Sequence, residues 1–182
     1  MGRPLKLAAQ GLALAAVAGL LGLLVWDVSH SGHSGVASKV DKGDTVAAPK
    51  TAMPFFGDPG TFDLAAYRGK AVVINFWASW CVDCKLEAKT LHDAAEKWGS
   101  KVVFVGVDGT DLSAAATRYM KRYDVNYPVV RDIGRNVQTR WGVTGFPETF
   151  FVDTKGRVIP PHVVGPIRAA DLQAAIRRAL AA

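Results

Sequence analysis

Phe76-Trp77-Ala78-Ser79-Trp80-Cys81-Val82-Asp83-Cys84-Lys85 is the stretch from which the rest of the chain is read. It holds the only two cysteines, with two residues between them. Before it runs Ala71-Val72-Val73-Ile74-Asn75, an apolar run that reads as a buried strand; after it begins an amphipathic helical pattern. A cysteine at a helix N-terminus meets unpaired backbone N–H groups and the positive end of the macrodipole. Both stabilise the thiolate, the attacking form. The spacing sets the second sulfur one helical turn on, near enough to close a disulfide on the first. Cys81 reads as the exposed nucleophile and Cys84 as the shielded resolving thiol. A zinc half-site would need two further ligands, and His30, His33, His92 and His162 offer no paired spacing near the motif. A staple is the weaker reading, because so short a loop constrains little unfolded-chain entropy.

The chain has 182 residues, enough for one ordinary domain with appendages. A hydrophobic content of 49% supports a core that does not depend on disulfides. The formal charge of +6 is carried by scattered residues, among them Arg3, Lys6, Arg168, Arg177 and Arg178. A nucleic-acid surface would be a clustered basic stripe interleaved with aromatics. There is no Gly-rich phosphate loop and no cofactor motif. The expected redox group is the Cys81/Cys84 pair itself, with no separate cofactor and no metal.

Along the chain, residues 1–6 form a short basic tail. Residues 7–26 carry no charge, and about 20 residues at the helical rise cross a hydrocarbon core. The run is longer than the roughly 7–15 apolar residues of a signal peptide, and Trp26 sits where an interfacial aromatic would. Arg3 and Lys6 precede it, so the positive-inside rule keeps the N-terminus cytoplasmic and exports the remainder. The expectation is a single-pass anchor in the cytoplasmic membrane; a cleaved, secreted form is the alternative. Residues 27–50 read as a flexible linker rich in Ser, Gly, Lys and Asp, and His30 and His33 within it are assigned no role. Residues 51–182 form the folded domain.

Within that domain, 54–56 and 61–64 flank a Gly-Asp-Pro-Gly turn as an N-terminal hairpin. The helix after Cys81 buries Leu91, Ala94, Ala95 and Trp98, and Gly99 ends it. Residues 101–108 form the next strand. Asp111 is placed to cap an added helix running to about Tyr123. A short strand at 127–130 and a short helix at Asn136–Trp141 follow. A hairpin then pairs 148–153 with 157–159, and Pro160 and Pro161 confine its second strand to a sheet edge. A helix at 170–180 closes the chain. Strands alternating with helices, then an antiparallel hairpin, imply an α/β fold with a mixed central sheet flanked by helices.

Trp80-Cys81-Val82-Asp83-Cys84 after Val73-Ile74-Asn75-Phe76-Trp77 resembles thioredoxin, and Gly142-Val143-Thr144-Gly145-Phe146-Pro147-Glu148-Thr149-Phe150 resembles that fold's cis-proline loop. Asn75 stands where thioredoxin itself has a buried aspartate. With the N-terminal span, Glu87, the added helix after Asp111 and the His162-Val163-Val164-Gly165-Pro166 run, the chain is similar to the membrane-anchored, extracytoplasmic TlpA/ResA-type thioredoxins, in particular the cytochrome c biogenesis branch. The resemblance covers residues 51–182. It implies a thioredoxin-like fold and a protein thiol–disulfide oxidoreductase acting through Cys81 and Cys84. It also implies a cis Pro147 beside the disulfide, and a Glu87 that tunes thiol protonation. Trp80, Val82, Asp83, Phe146 and Glu148 are the expected substrate groove. The implied substrates are disulfides of exported proteins such as apocytochrome c, and the implied electron donor is a membrane thiol carrier of the CcdA type.

One departure bears on the chemistry. The family's usual proline before the second cysteine is absent, and Val82-Asp83 lies between the sulfurs. An anionic Asp83 opposes thiolate formation at Cys81, which favours the disulfide and makes the couple more reducing. The direction of electron flow stays open at this point: an oxidase or isomerase of secreted proteins uses the same residues, and a non-catalytic thioredoxin-fold binding module would keep its cysteines as a staple. A peroxidase is disfavoured because Ala78 occupies the third position before Cys81, where that chemistry needs threonine.

Overall fold

The computed structural model describes residues 3–30 and 35–182, with side chains described at 12, 14–26 and 35–182. Two compact units are present, residues 1–34 and 35–182. In the first, α1 (Arg3–His30) is a continuous helix of 28 residues. Its large apolar side chains from Leu12 to Trp26 are exposed where described. The expected span 7–26 lies partly outside the described side chains, and among the described residues no helix is long and apolar enough to cross a membrane. His33 and the side chain of His30 also lie outside them.

The second unit is built on a six-stranded mixed sheet in the order β1-β8-β7-β4-β5-β6. Its strands are β1 (Val46–Ala47), β4 (Ala71–Trp77), β5 (Val102–Asp108), β6 (Val129–Arg131), β7 (Glu148–Val152) and β8 (Arg157–Val164). β4, β5 and β6 run parallel, while β7 is antiparallel to β4, β8 to β7 and β1 to β8. β4 is buried at every position, as a strand covered on both faces must be. Its alternation divides the core. Val72, Ile74 and Phe76 join one apolar cluster, and Ala71 and Val73 join the other.

Two helices cover the second cluster. α3 (Val82–Trp98) contributes Leu91, Ala94 and Ala95, and α6 (Ala169–Ala181) contributes Leu172, Ala175, Ile176 and Ala179. The opposite face is covered by α2 (Val36–Asp41), α5 (Asn136–Trp141) and the hairpin of β2 (Ala52–Pro54) with β3 (Thr61–Asp63). That hairpin buries Met53 against Phe62 as directly opposed partners. The added helix, α4 (Ser113–Arg122), packs Ala116 and Tyr119 into a third cluster that contains both cysteines.

Three expectations are corrected. The folded unit begins near Gly35, so 35–50 is not linker: Val36, Ala37 and Val40 are buried, and β1 pairs with β8. The start of α2 fits because it is glycine. A Cβ on Gly35 would lie 2.5 Å from Gly142 Cα, far inside van der Waals contact. Asp111 does not cap α4; Leu112 holds the N-cap position without a side-chain bond. β8 extends to Val164 rather than stopping before its prolines, and it is an edge strand only beyond Val158, where β1 no longer pairs with it. Pro160 and Pro161 fall in that unpaired part, where a missing N–H removes no ladder bond.

Candidate functional site

β4 delivers the chain into the turn that presents Cys81 as the N-cap of α3. Cys81 and Cys84 are joined in a disulfide with their Cα atoms 5.3 Å apart. The backbone N–H of Cys84 donates to Cys81 Sγ at 3.0 Å. The sulfur therefore occupies the place a serine or aspartate oxygen takes in an ordinary cap. On reduction that N–H and the helix dipole face a thiolate, which both stabilise. Cys81 is 5% exposed and Cys84 1%: both are buried, so Cys81 is not the exposed residue expected and is the outer of the two only by a thin margin.

Around the disulfide, Trp80 is 63% exposed, Val82 and Asp83 are exposed, and Phe146 is half-buried. Trp80 and Phe146 meet edge to face with ring centres 5.8 Å apart. The Phe146–Pro147 peptide bond is cis, Pro147 is buried, and Phe146 packs against the cluster that holds the cysteines. Four of the five residues expected in a substrate groove thus offer an accessible surface at or next to the sulfurs.

Glu148 does not. It is fully buried, and it braces the cis-proline loop from inside. Its Oε1 accepts from Thr144 N at 2.7 Å, Thr144 Oγ1 at 3.0 Å and Gly145 N at 2.8 Å. Its Oε2 lies 2.9 Å from His162 Nε2. Burial alone would raise the pKa of this carboxyl; the His162 bond and the loop donors reverse that and hold it below the ordinary value.

Behind the disulfide lies Glu87, one turn after Cys84 on α3 and 1% exposed. Its two oxygens accept from Asn75 Nδ2 at 2.7 Å and from the Ile167 backbone N–H at 2.8 Å. Burial pushes its pKa up to about 7 and the charge of Asp83 adds to the rise, against the two hydrogen bonds. Asn75 is oriented in turn by Thr149, its directly opposed partner on β7, whose Oγ1 accepts from Nδ2 at 3.0 Å.

The segment after β5 grips the active-site turn at two points. The Asp111 carboxylate accepts from the Ser79 backbone N–H and from Ser79 Oγ. Tyr119 donates its hydroxyl proton to the Cys84 carbonyl at 2.8 Å, and its ring stacks on Trp77 at 4.4 Å. Trp77 is buried, as a packing residue should be. Among the described residues, no group of three or more His, Cys, Asp or Glu is arranged to hold a metal.

A profile of the Redoxin family matches residues 41–176. The chain belongs to the Redoxin family. This redoxin is 38% identical over 120 residues to a thiol:disulfide interchange protein DsbE of Pseudomonas fluorescens, the match covering 65% of each chain. It is 35% identical over 98 residues to the thiol–disulfide oxidoreductase ResA of Bacillus subtilis, covering 53% of this chain and 55% of ResA. The redoxin thus spans between half and two thirds of the length of these relatives. Among solved structures, MTB DsbF superposes with a TM-score of 0.66 at 29% identity, covering 72% of this chain and 96% of that one. The fold is thioredoxin-like.

Three contacts around the site lie outside the reading of the sequence. The bond from Asn75 to Glu87 had a signal, since Asn75 is the one polar residue in an otherwise apolar strand. Asp111 has the sequence position of a helix cap, and nothing local points to its bonds with Ser79. His162 between two carboxylates had no local signal, because its partners come from distant parts of the chain.

Proposed function

We propose that this redoxin is a thiol–disulfide oxidoreductase that reduces disulfides of exported proteins from the outer face of the cytoplasmic membrane. The observation that carries the reading is Cys81 Sγ as the cap of α3, with an N–H already aimed at it. The Cys81 thiolate attacks one sulfur of a substrate disulfide. A Cys81–substrate bond forms, the substrate bond breaks, and the departing thiolate takes up a proton. The Cys84 thiolate then attacks Cys81, closing the Cys81–Cys84 bond and releasing the second substrate thiol. In sum, two electrons and two protons pass from the dithiol to the substrate. Glu87, poised near neutrality one turn from Cys84, is suited to hold or yield a proton as the thiols change state.

The reducing direction is supported by Asp83, whose charge disfavours the Cys81 thiolate. The proposed substrate is the Cys-x-x-Cys-His disulfide of apocytochrome c, which must be opened before haem attaches, and the proposed electron donor is a membrane thiol carrier of the CcdA type. Both rest on the resemblance to the cytochrome c biogenesis branch and on the similarity to DsbE and ResA. Residues 7–26 serve as the membrane anchor with residues 1–6 inside, and no cofactor beyond the disulfide is required. Cys84→Ser tests the reading, because it removes the resolving thiol and leaves the mixed disulfide standing. Expressed in its own membrane, the variant should accumulate adducts through Cys81 that dithiothreitol releases, apocytochromes among them. Adducts confined to other exported proteins would overturn the apocytochrome assignment, and no adducts at all would leave the fold as a scaffold.

A further inference from the structure

The cis-proline loop is held from behind by a contact chain that the exchange chemistry does not itself use. His162 on β8 is buried, its side chain only 3% exposed, and lies between two carboxylates. Nε2 is 2.9 Å from Glu148 Oε2, and Nδ1 is 3.0 Å from Asp41 Oδ1 at the end of α2. The ring stacks on Phe150 with centres 4.1 Å apart and planes within 16°. An ionised carboxylate only accepts hydrogen bonds, whereas a neutral imidazole donates from one nitrogen and accepts at the other. Facing acceptors on both sides, the ring satisfies both only when both nitrogens carry protons.

We propose that His162 is a positioning residue for disulfide exchange: doubly protonated between Asp41 and Glu148, it fixes the loop at 144–147 in the shape that receives substrate beside Cys81. The route is continuous. His162 neutralises Glu148, and Glu148 Oε1 gathers the N–H groups of Thr144 and Gly145 and the Thr144 hydroxyl. The next two residues are the cis Phe146–Pro147 pair, with Phe146 against Trp80. Gly165, the residue that follows β8, adds a second tie, from its N–H to the Pro147 carbonyl at 2.9 Å. With a neutral ring, one bond to a carboxylate is lost, and Asp41 is the partner that water can satisfy, being half exposed. The titratable groups facing the imidazole are Asp41 from α2 and Glu148 from β7; the hydrogen bonds to both hold the His162 pKa above its ordinary value despite burial.

The inference rests on the exchange activity proposed above, and the test separates the two. The full chain in detergent micelles is assayed at varied pH against a synthetic peptide closed by a Cys-x-x-Cys-His disulfide, and separately for reduction of its own disulfide by dithiothreitol. In His162→Gln, KM for the peptide should rise about tenfold, the loss of a hydrogen bond to a charged group, with kcat and the dithiothreitol rate unchanged. In the parent protein KM should climb on the alkaline side as the clamp loses its proton, and the variant should lack that limb. Asp41→Asn, at the exposed end of the clamp, should raise KM by a smaller factor and serves if His162→Gln does not fold. Imidazole 15N resonances should report both nitrogens of His162 protonated at pH 7, a readout independent of activity. A parent chain that leaves the peptide unreduced would defeat the proposed function, and the 15N signature alone would then judge the clamp. One unprotonated nitrogen at pH 7, an unchanged KM, or a KM change matched by an equal change in the dithiothreitol rate would overturn the inference.

Discussion

Glu87 and Glu148 are both buried to within 1% of complete, and both belong to the disulfide's surroundings, yet their environments drive them in opposite directions. Glu87 is held by two neutral donors, and desolvation wins, bringing its pKa to about 7. Glu148 is held by three loop donors and by His162, and hydrogen bonding wins. Depth of burial is therefore not what sets the protonation of a carboxyl here. The number and charge of the donors decide it. The result is a division of labour. One carboxyl stays ionised and acts as a fixed strut for the cis-proline loop, while the other has its pKa raised to about 7, the property on which its proposed proton-exchanging role rests.

The sharpest way to break the comparison is to remove the strut. Glu148→Ala leaves His162 buried with one carboxylate partner and strips three donors of their acceptor. Loss of one member of a buried pair costs about 3–5 kcal/mol, to be read from guanidinium denaturation at pH 7. A loss near zero would mean that the loop does not depend on Glu148. The pH response of the two carboxyls should differ in sign as well. Glu148 has a depressed pKa, so its contribution is present above the unfolded carboxyl value and is lost as pH falls through its folded value. Glu87 is the reverse. The native state holds its proton more tightly than the unfolded chain does, so stability falls as pH rises from about 4.5 to about 7. The decline amounts to about 3 kcal/mol for a carboxyl moved that far. It should be measured on the disulfide form, in which the cysteines do not titrate, and Glu87→Gln should flatten it. A smaller effect is expected at Asn75. Asn75→Ala removes one of the two donors to Glu87 at a cost of about 1–2 kcal/mol, and it should move the inflection of the stability profile to higher pH.

The two carboxyls were not equally legible in the sequence. β4 and α3 declare themselves through an apolar run broken only by Asn75 and a helical stripe ending at Gly99, and the cysteines fix which end of that pair is the site. Glu87 follows from them, because a helix puts position 87 on the face of position 84. Adjacency to Pro147 in sequence suggests a groove position for Glu148, but adjacency is not a shared surface, and Glu148 is buried. The partner that explains Glu148 is His162, which in turn reaches Asp41 across 121 positions of chain. The α2 helix that carries Asp41 has six residues and is held by Val36, Ala37 and Val40 packing on the sheet. No local propensity signals so short an element in a Ser-, Gly- and Lys-rich stretch, whose composition reads as linker.

The smallest expected effect lies at Asp83, where the comparison meets the redox couple. Asp83 is exposed in the first turn of α3, between the two sulfurs. Its charge acts on Glu87 in the same direction as burial, raising the pKa. Asp83→Asn should lower the Glu87 inflection slightly. It should also ease formation of the Cys81 thiolate, which stabilises the reduced form and moves the couple to a less negative potential. Solvent screening keeps interactions of exposed charges small, so the shift should be below about 30 mV, the equivalent of about 1.4 kcal/mol in a two-electron couple. Equilibration against glutathione at two salt concentrations reads it. The difference between parent and variant should shrink at the higher salt, because a through-solvent charge effect is screened whereas a change in helix capping is not. A shift toward more negative potential would reverse the role given to Asp83. A salt-independent shift would move its action from charge to the geometry of the first helical turn.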